Sequence, residues 1–503
     1  MRLTCENVPD PISEKMCQTP FPMLSIVDIA ARIARGELTA AQVVAEALAR
    51  IERGNGDLNA FITVLGDRAR EEAQRLDVEL ASGRCRGPLH GVPISVKDLV
   101  DVAGAPTTAA SRVRRAHLAT ADAPIVARLR DAGAIIIGKT NLHEFAYGTT
   151  SEESAFGPVK NPHDLTRSAG GSSGGSAAAI ATGMCAGSIG TDTGGSIRIP
   201  AAACGIVGLK PTCDELPCDG VVPLSRSLDH VGPMAADVRS VRLLYEAMRR
   251  DPATRNPAEA GSHAQRAADG LRIGIPRPYF LDLLDDEVRH AFDAAIARLR
   301  EAGARTSEVA IPHADAIGPV YLHIQLPESS AYHAATLERT PDLYARSVRL
   351  RLEMGRYVLA EDYVRAQQGR QVLRAEVDRA LDNLDVLALP ALPIVAPSLG
   401  QQTVQLAGRD YPVRALMLRL TQLFNITGHP AISMPIRAGG GAGAGVGAGE
   451  GVAGLPVGFQ LVGQRWHTVD LLRAALACEP HLAEDRTVQS PPGLRTRGLQ
   501  DED

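Results

Sequence analysis

Aromatic residues make up only 4% of the 503-residue sequence, with a single tryptophan, and several enzyme motifs are missing from it. No two cysteines have CxxC spacing: the eight thiols stand at 5, 17, 85, 185, 204, 213, 218 and 478, which argues against a zinc ribbon or a small disulfide-stapled domain. Most are read as small buried apolar residues, while Cys213 and Cys218, the closest pair, are left without an assignment. H-E-x-x-H is absent, since His143-Glu144 is followed by Phe145, Ala146 and Tyr147, so His143 is read as a packing or capping residue rather than a zinc ligand. A P-loop fails as well, because Gly170 and Gly175 have its spacing but Ser176 stands where lysine is required. There is no dense basic run: 53 Lys and Arg against 58 Asp and Glu give a net charge of -5, so nucleic acid is not an expected partner. The first 22 residues carry proline and charge where a signal peptide needs an unbroken apolar stretch, and no later segment reaches membrane-spanning length without glycine or charge. A reduced, cytoplasmic setting without membrane contact is the expectation.

Apolar residues are plentiful, at 45%, enough for a large core in one domain or several. Residues 24–53 read as two amphipathic helices, the second opened by Thr39 with Gln42 three residues on, a capping box, and with Val44, Leu48 and Ile51 on one face. Apolar strand-like runs at HGVPISVKDLV (90–100), AIIIGK (134–139), LRIGIP (271–276) and VLALPAL (386–392) are interspersed with helical segments, among them 286–303 and roughly 341–382. This alternation predicts an α/β architecture. Residues 1–22 read as an N-terminal extension, 23–482 as one large domain and 483–503 as a polar tail expected to fray. Residues 251–269 read as a surface excursion, and GGGAGAGVGAGEGVAG (439–454) as a flexible connector because it has no side chains able to pack.

Glycine density peaks between 170 and 208. In GTDTGGS (190–196), Gly194 and Gly195 lack Cβ atoms, so the backbone can turn its amides toward a substrate carbonyl, with Ser196 at the end of that nest. A serine nucleophile needs such donors for the developing oxyanion and a proton acceptor within reach. GGSSGGS (170–176) leads into a helix of small residues whose N-terminus adds positive potential. A rival reading comes from Gly170-Gly171-Ser172-Ser173-Gly174, which satisfies the G-x-S-x-G elbow of α/β-hydrolase esterases and would make Ser172 the nucleophile. That reading needs a downstream Asp and His, for which His230, His429 and His467 are available, but it leaves the 190–196 nest unexplained and gives Lys97 nothing to do.

The blocks GGSSGGSAAA (170–179) and GTDTGGSIRIPAAACGIVGLKP (190–211) together resemble the signature of the amidase signature family. GPLHGVPISVKD (87–98) resembles its lysine motif, and 138–164, SLDHVGPM (227–234) and LPVGFQLVG (455–463) fit too, so the resemblance runs from about residue 24 to 482. It implies a single large domain with a central mixed β-sheet covered by helices on both faces. It also implies Ser196 as nucleophile, Ser172 after a cis peptide bond as the bridging serine, and Lys97 as base, which favours Ser196 over the elbow. Lysine has a reference pKa near ~10.4, so this role requires burial to depress it. The same resemblance makes the N–H groups of Thr193, Gly194, Gly195 and Ser196 the oxyanion hole, sets Tyr147, Gly148 and Ser173 beside the substrate, and leaves Thr191, Asp192 and Arg198 as hydrogen-bonding supports.

The implied reaction is hydrolysis of a small-molecule carboxamide through an acyl-enzyme, with esters, carbamates and urea-like amides as further candidates. No cofactor or metal is implied, and a homodimer is compatible with the sequence. The family also includes the glutaminase component of tRNA-dependent amidotransferases, their A subunit. Against that alternative, relatives usually have an aromatic-Gly-Arg sequence after GLKPT where this chain has Cys213-Asp214-Glu215, and 413–433 offers no acidic residue for an amino acid's ammonium. Leu, Met and Phe in the second half point to an apolar or aromatic substrate group. Turnover is expected to survive dialysis against EDTA; inactivation by the chelator would count against a metal-free serine mechanism.

Overall fold

The computed structural model describes residues 25–249, 268–436 and 454–482. The N-terminal extension, the polar tail, nearly all of the 251–269 excursion and all but Gly454 of the glycine-rich connector lie outside the described residues. The predicted α/β class is observed, as one eleven-stranded mixed sheet with helices packed against it. In spatial order its strands are Phe61–Val64, Ile135–Thr140, Pro93–Lys97, Gly187–Asp192, His230–Ala235, Val207–Lys210, Ala431–Ile436, Val457–Val462, Val386–Pro390, Arg272–Pro276 and Arg305–Val309. Two small two-stranded sheets, Lys160–Asn161 with Asp164–Ser168 and Thr403–Leu406 with Arg409–Pro412, stand apart from it.

Pro93–Lys97 runs parallel to both of its neighbours, Ile135–Thr140 and Gly187–Asp192, and every residue of the three is buried. Strands covered on both faces read as continuous apolar runs, which is why AIIIGK was legible as buried. The parallel trio also explains where chemistry can gather, since the carboxyl ends of parallel strands open onto a crevice. Lys97 and Asp192 are the last residues of two adjacent strands of this trio.

Local signals act as the sequence suggests. Ile26–Ala34 and Ala40–Leu58 are helices, and Thr39 with Gln42 forms the complete capping box. The longer helical prediction is corrected: 341–382 is a 3-10 turn followed by two helices, Arg346–Gly355 and Ala360–Ala380, and a 23-residue helix, Ile317–Arg339, precedes them. Gly355 closes the first of the two, and a Cβ there would collide with the Leu326 carbonyl of the neighbouring helix. Pro327 lies inside the 23-residue helix without ending it.

The serine-rich turn reaches the sheet through a close approach at Gly175, whose added Cβ would lie 2.7 Å from the Asn141 nitrogen and collide with the Ala60 and Asn141 carbonyls. Gly175→Ala is therefore expected to lower the unfolding free energy by about 1–3 kcal/mol, the usual cost of overpacking. Gly56→Ala, in open space on the Ala40–Leu58 helix, is expected to raise it by about 0.5–1 kcal/mol. Urea unfolding of both variants checks the pair, and equal midpoints would contradict it.

Candidate active site

Lys97 leaves the end of its strand with no solvent exposure, and its Nζ donates to Ser172 Oγ at 2.8 Å and Thr191 Oγ1 at 2.9 Å. The Gly171–Ser172 peptide bond is cis. The Ser172 carbonyl accepts from the His143 N–H at 3.2 Å and Ser151 Oγ at 3.2 Å, which fixes the turn from its outer side. Ser172 is wholly buried, whereas Ser196 retains 6% exposure, and the Ser173 N–H donates to the Ser196 carbonyl at 3.2 Å. The two glycine-rich blocks therefore adjoin, with the strand-end lysine beneath them. Burial drives the Lys97 amine down to about 7, opposed by the negative charges of Asp192 and Asp229. Lys210 is depressed to about 7 as well, yet among the described residues its Nζ donates to the Pro211 and His429 carbonyls alone. Of these two lysines, Lys97 is the one that has serine and threonine hydroxyls as partners.

The 193–196 turn is held from three sides. Gly195 has φ 138, open to glycine alone, and its added Cβ would lie 2.7 Å from Ile199 Cδ1 and collide with the Thr421 hydroxyl. An added Cβ on Gly194 would lie 2.6 Å from Tyr321 Oη. Thr421 Oγ1 donates to the Gly194 carbonyl at 2.6 Å, which turns that carbonyl outward. Among the described residues no acceptor takes the N–H groups of Gly194, Gly195 or Ser196, so the amides are available to an oxyanion.

Asp192 and Arg198 bracket this turn as a fully buried ion pair at 2.9 Å. Asp192 Oδ2 also accepts the Ile197 N–H at 3.1 Å, so one carboxylate grips both ends of the loop. Burial alone would raise the Asp192 carboxyl, but the Arg198 guanidinium overrides it and holds the group well below the usual carboxylate range. All five guanidinium N–H groups of Arg198 are used, on Asp192, the Thr421 carbonyl, Gln460 and Asn425. Asn425 Nδ2 in turn donates to Asp192 Oδ1 at 2.8 Å.

The remaining expected positions are spread around this centre. Ser173 is buried and donates its hydroxyl to the Thr191 carbonyl at 3.3 Å, as part of the scaffold. Gly148 lies against the His143 ring, so closely that a Cβ would overlap it. Tyr147 is buried, and its carbonyl accepts from Arg351 at 2.7 Å and Arg414 at 3.3 Å, with both guanidinium groups also 5.5–5.7 Å from its ring. Of the three later histidines, His230 bonds backbone carbonyls, His429 bonds Thr427 and Asp378, and His467 bonds Asp470. Asp229, Thr421, Asn425, Gln460, Arg351 and Arg414 were missed from the sequence. Asn425, a lone amide in the apolar run LFNIT, was the one with a visible signal.

Among the described residues no group of three or more His, Cys, Asp or Glu side chains could hold a metal ion. Arg198→Met would strand the buried Asp192 carboxylate, and a loss of about 3–5 kcal/mol is expected in urea unfolding. Arg198→Lys is expected to recover little, because an ammonium cannot present five donors in a planar fork. Stability within ~1 kcal/mol of the parent for both variants would contradict this account of the clamp.

A family described as Amidase matches residues 42–472. An amidase of Pseudomonas putida is 42% identical over 422 residues, covering 82% of this chain and 89% of its own. The A subunit of glutamyl-tRNA(Gln) amidotransferase from Anaeromyxobacter sp. (strain K) is 38% identical over 493 residues, covering 91% of this chain and 96% of its own. A solved structure titled "Crystal structure of amidase" superposes with a TM-score of 0.82 at 35% identity, over 91% of this chain and 99% of that one. With a family match across most of its length, the same fold and identities of this order, the chain belongs to the amidase family, whose chemistry is hydrolysis of C–N bonds in amides.

Proposed function

We propose that this protein hydrolyses a small-molecule linear amide through an acyl-enzyme on Ser196, with Ser172 as proton bridge and Lys97 as base. The observation that carries the reading is the contact between the buried Lys97 amine and Ser172 Oγ at 2.8 Å, with the amine depressed to about 7. A neutral amine has two N–H groups and one lone pair. With an N–H kept on Thr191, the lone pair can face Ser172 and take its proton as Ser172 takes that of Ser196.

Ser196 Oγ then bonds to the substrate carbonyl carbon, and the oxyanion is received by the N–H groups of Gly194, Gly195 and Ser196, with Thr193 at the mouth of the turn. The C–N bond breaks as the proton returns from Lys97 through Ser172 to the departing amine. Water, deprotonated along the same path, cleaves the ester and regenerates Ser196. Every proton lost by a nucleophile reappears on a leaving group, so the cycle balances with no other reactant than water.

Arg351 and Arg414 support a more specific substrate. Both converge on Tyr147 with no ion pair within 4 Å among the described residues, and burial together with Arg414 pushes Arg351 down to about 10 against the opposing charge of Glu153. Like charges held together in a partly buried place favour an anion, so the preferred amide carries a carboxylate at its far end. The apolar or aromatic group suggested by the sequence is thereby given second place. The 38% identity to an amidotransferase component keeps glutamine turnover with partner proteins as the second reading, and the arginine pair is the observation that favours it. A stand-alone cytoplasmic enzyme remains the first, with a second copy of the chain as an admissible partner. Among the described residues no helix is long and apolar enough to cross a membrane.

Labelling with a fluorophosphonate followed by peptide mapping is expected to mark Ser196, and a label on Ser172 would favour the esterase reading instead. Lys97→Ala is expected to lower kcat/KM by roughly 10²- to 10⁴-fold. In the parent, kcat/KM is expected to rise with pH through a midpoint near 7, because raising the pH above that value leaves Lys97 neutral. Arg351→Met or Arg414→Met is expected to raise KM roughly 10-fold for a carboxylate-bearing amide and to spare a neutral one. Glutamine hydrolysed only with added partner proteins would establish the second reading.

A further inference from the structure

Asp229 is a partly buried residue whose carboxylate the proposed reaction does not use. Its Oδ1 accepts the Thr193 hydroxyl at 2.5 Å, and its Oδ2 accepts the N–H groups of Leu224 at 2.9 Å and Ser225 at 3.1 Å. Thr193 is the first residue after the Gly187–Asp192 strand, so Asp229 holds the turn at its entry while Asp192 and Thr421 hold it further on. The segment that supplies the two N–H groups is itself pinned from the Ile317–Arg339 helix, where Glu328 accepts from Ser225 Oγ, Ser227 N–H and Ser227 Oγ at 2.7–3.1 Å. Tyr321, four residues before Gln325 on the same helix, packs over Gly194. One helix thus braces the oxyanion turn directly and, through Asp229, from behind.

We propose that Asp229 is a positioning residue for the oxyanion turn, its carboxylate fixing the direction of the 193–196 amides by tying the Thr193 side chain to the 224–225 backbone. The inference rests on the assignment of Ser196 and Lys97 above. Two oxygens that serve three donors leave no freedom for the Thr193 side chain, and an amide in place of the carboxylate would turn an N–H toward at least one donor. The groups facing this carboxylate are Thr193, Tyr321 and Glu328, the Cys218 thiol 3.9 Å from its carbonyl, and Lys97 from the central strand. Burial pushes the carboxyl up to about 6 against the hydrogen bonds that lower it, so it is ionised where Lys97 is neutral. Its negative charge raises the Lys97 value, which couples the bracket to the base.

Asp229→Asn removes that charge and one acceptor. It is expected to lower kcat roughly 10- to 100-fold with KM little changed, since an oxyanion donor acts on the transition state. It is also expected to move the acid limb of kcat/KM to lower pH, because Lys97 then loses its proton more readily. Thr193→Val, which keeps the charge, is expected to lower kcat as well but without a downward move of the limb, and Thr193→Ser to restore it. A merely structural role would lower folding yield and leave the limb of the folded fraction in place. Parent-like kcat in Thr193→Val, or an unmoved limb in a folded Asp229→Asn, would overturn the proposal. If Asp229→Asn does not fold, the threonine pair alone decides, with loss in valine and recovery in serine supporting it and parent-like valine overturning it. Failure of the underlying reading is seen separately, as parent turnover that survives Lys97→Ala and Ser196→Ala.

Discussion

A primary amine with no solvent and no carboxylate in contact is the constraint around which this site is built. The contrast with its neighbours is instructive. Lys139, on the adjacent strand and also fully buried, is paired with Asp98 at 3.0 Å, and Arg198 is paired with Asp192 at 2.9 Å. Lys97 precedes Asp98 in the chain, yet that carboxylate faces the other lysine, and two hydroxyls are what Lys97 receives. Burial lowers the Lys139 amine as well, but the Asp98 carboxylate in contact opposes it, whereas Lys97 has no carboxylate in contact to hold its proton.

The same logic orders the second half of the site. Asp192 lies close enough to Lys97 to raise its value, but its oxygens are filled by Arg198, Asn425 and the Ile197 N–H. Arg198 therefore neutralises a charge that would otherwise favour the protonated lysine, while anchoring the loop that bears Ser196. Acid-base tuning and loop geometry are in this way consequences of one buried pair. The Ile317–Arg339 helix adds a third role, because Tyr321 covers Gly194, Glu328 secures the 225–227 turn, and Ser329 donates to the Tyr147 hydroxyl at 3.3 Å. Tyr147 and the 193–196 turn are consequently braced by a single helix.

How far this could be read from residues alone varies with the range of the interaction. The capping box at Thr39, the buried run at 135–140 and the glycine nest at 194–195 are local, and each has a local signature. Lys97 and Ser172 are joined by the family resemblance alone, since nothing in their separation along the chain states that they touch. Arg351 and Arg414 look like ordinary charges on solvated helices, and only the packing of those helices on Tyr147 gives them a shared target. Asp229 was legible as part of SLDHVGPM but not as a bracket, because its three donors come from two separate segments. Pro327 shows the converse: a residue that disfavours helix interiors lies within one, so its local signature does not mark an end.

The central claim is that Lys97 is uncharged near neutral pH in the folded protein. It is tested most directly by NMR titration of protein labelled with ¹³C at lysine Cε, with the Lys97 resonance assigned by its absence from a folded Lys97→Ala variant. The account predicts a Cε shift that titrates with a midpoint near 7. A Lys97 resonance that titrates instead near the ordinary lysine value of ~10.4 would contradict it.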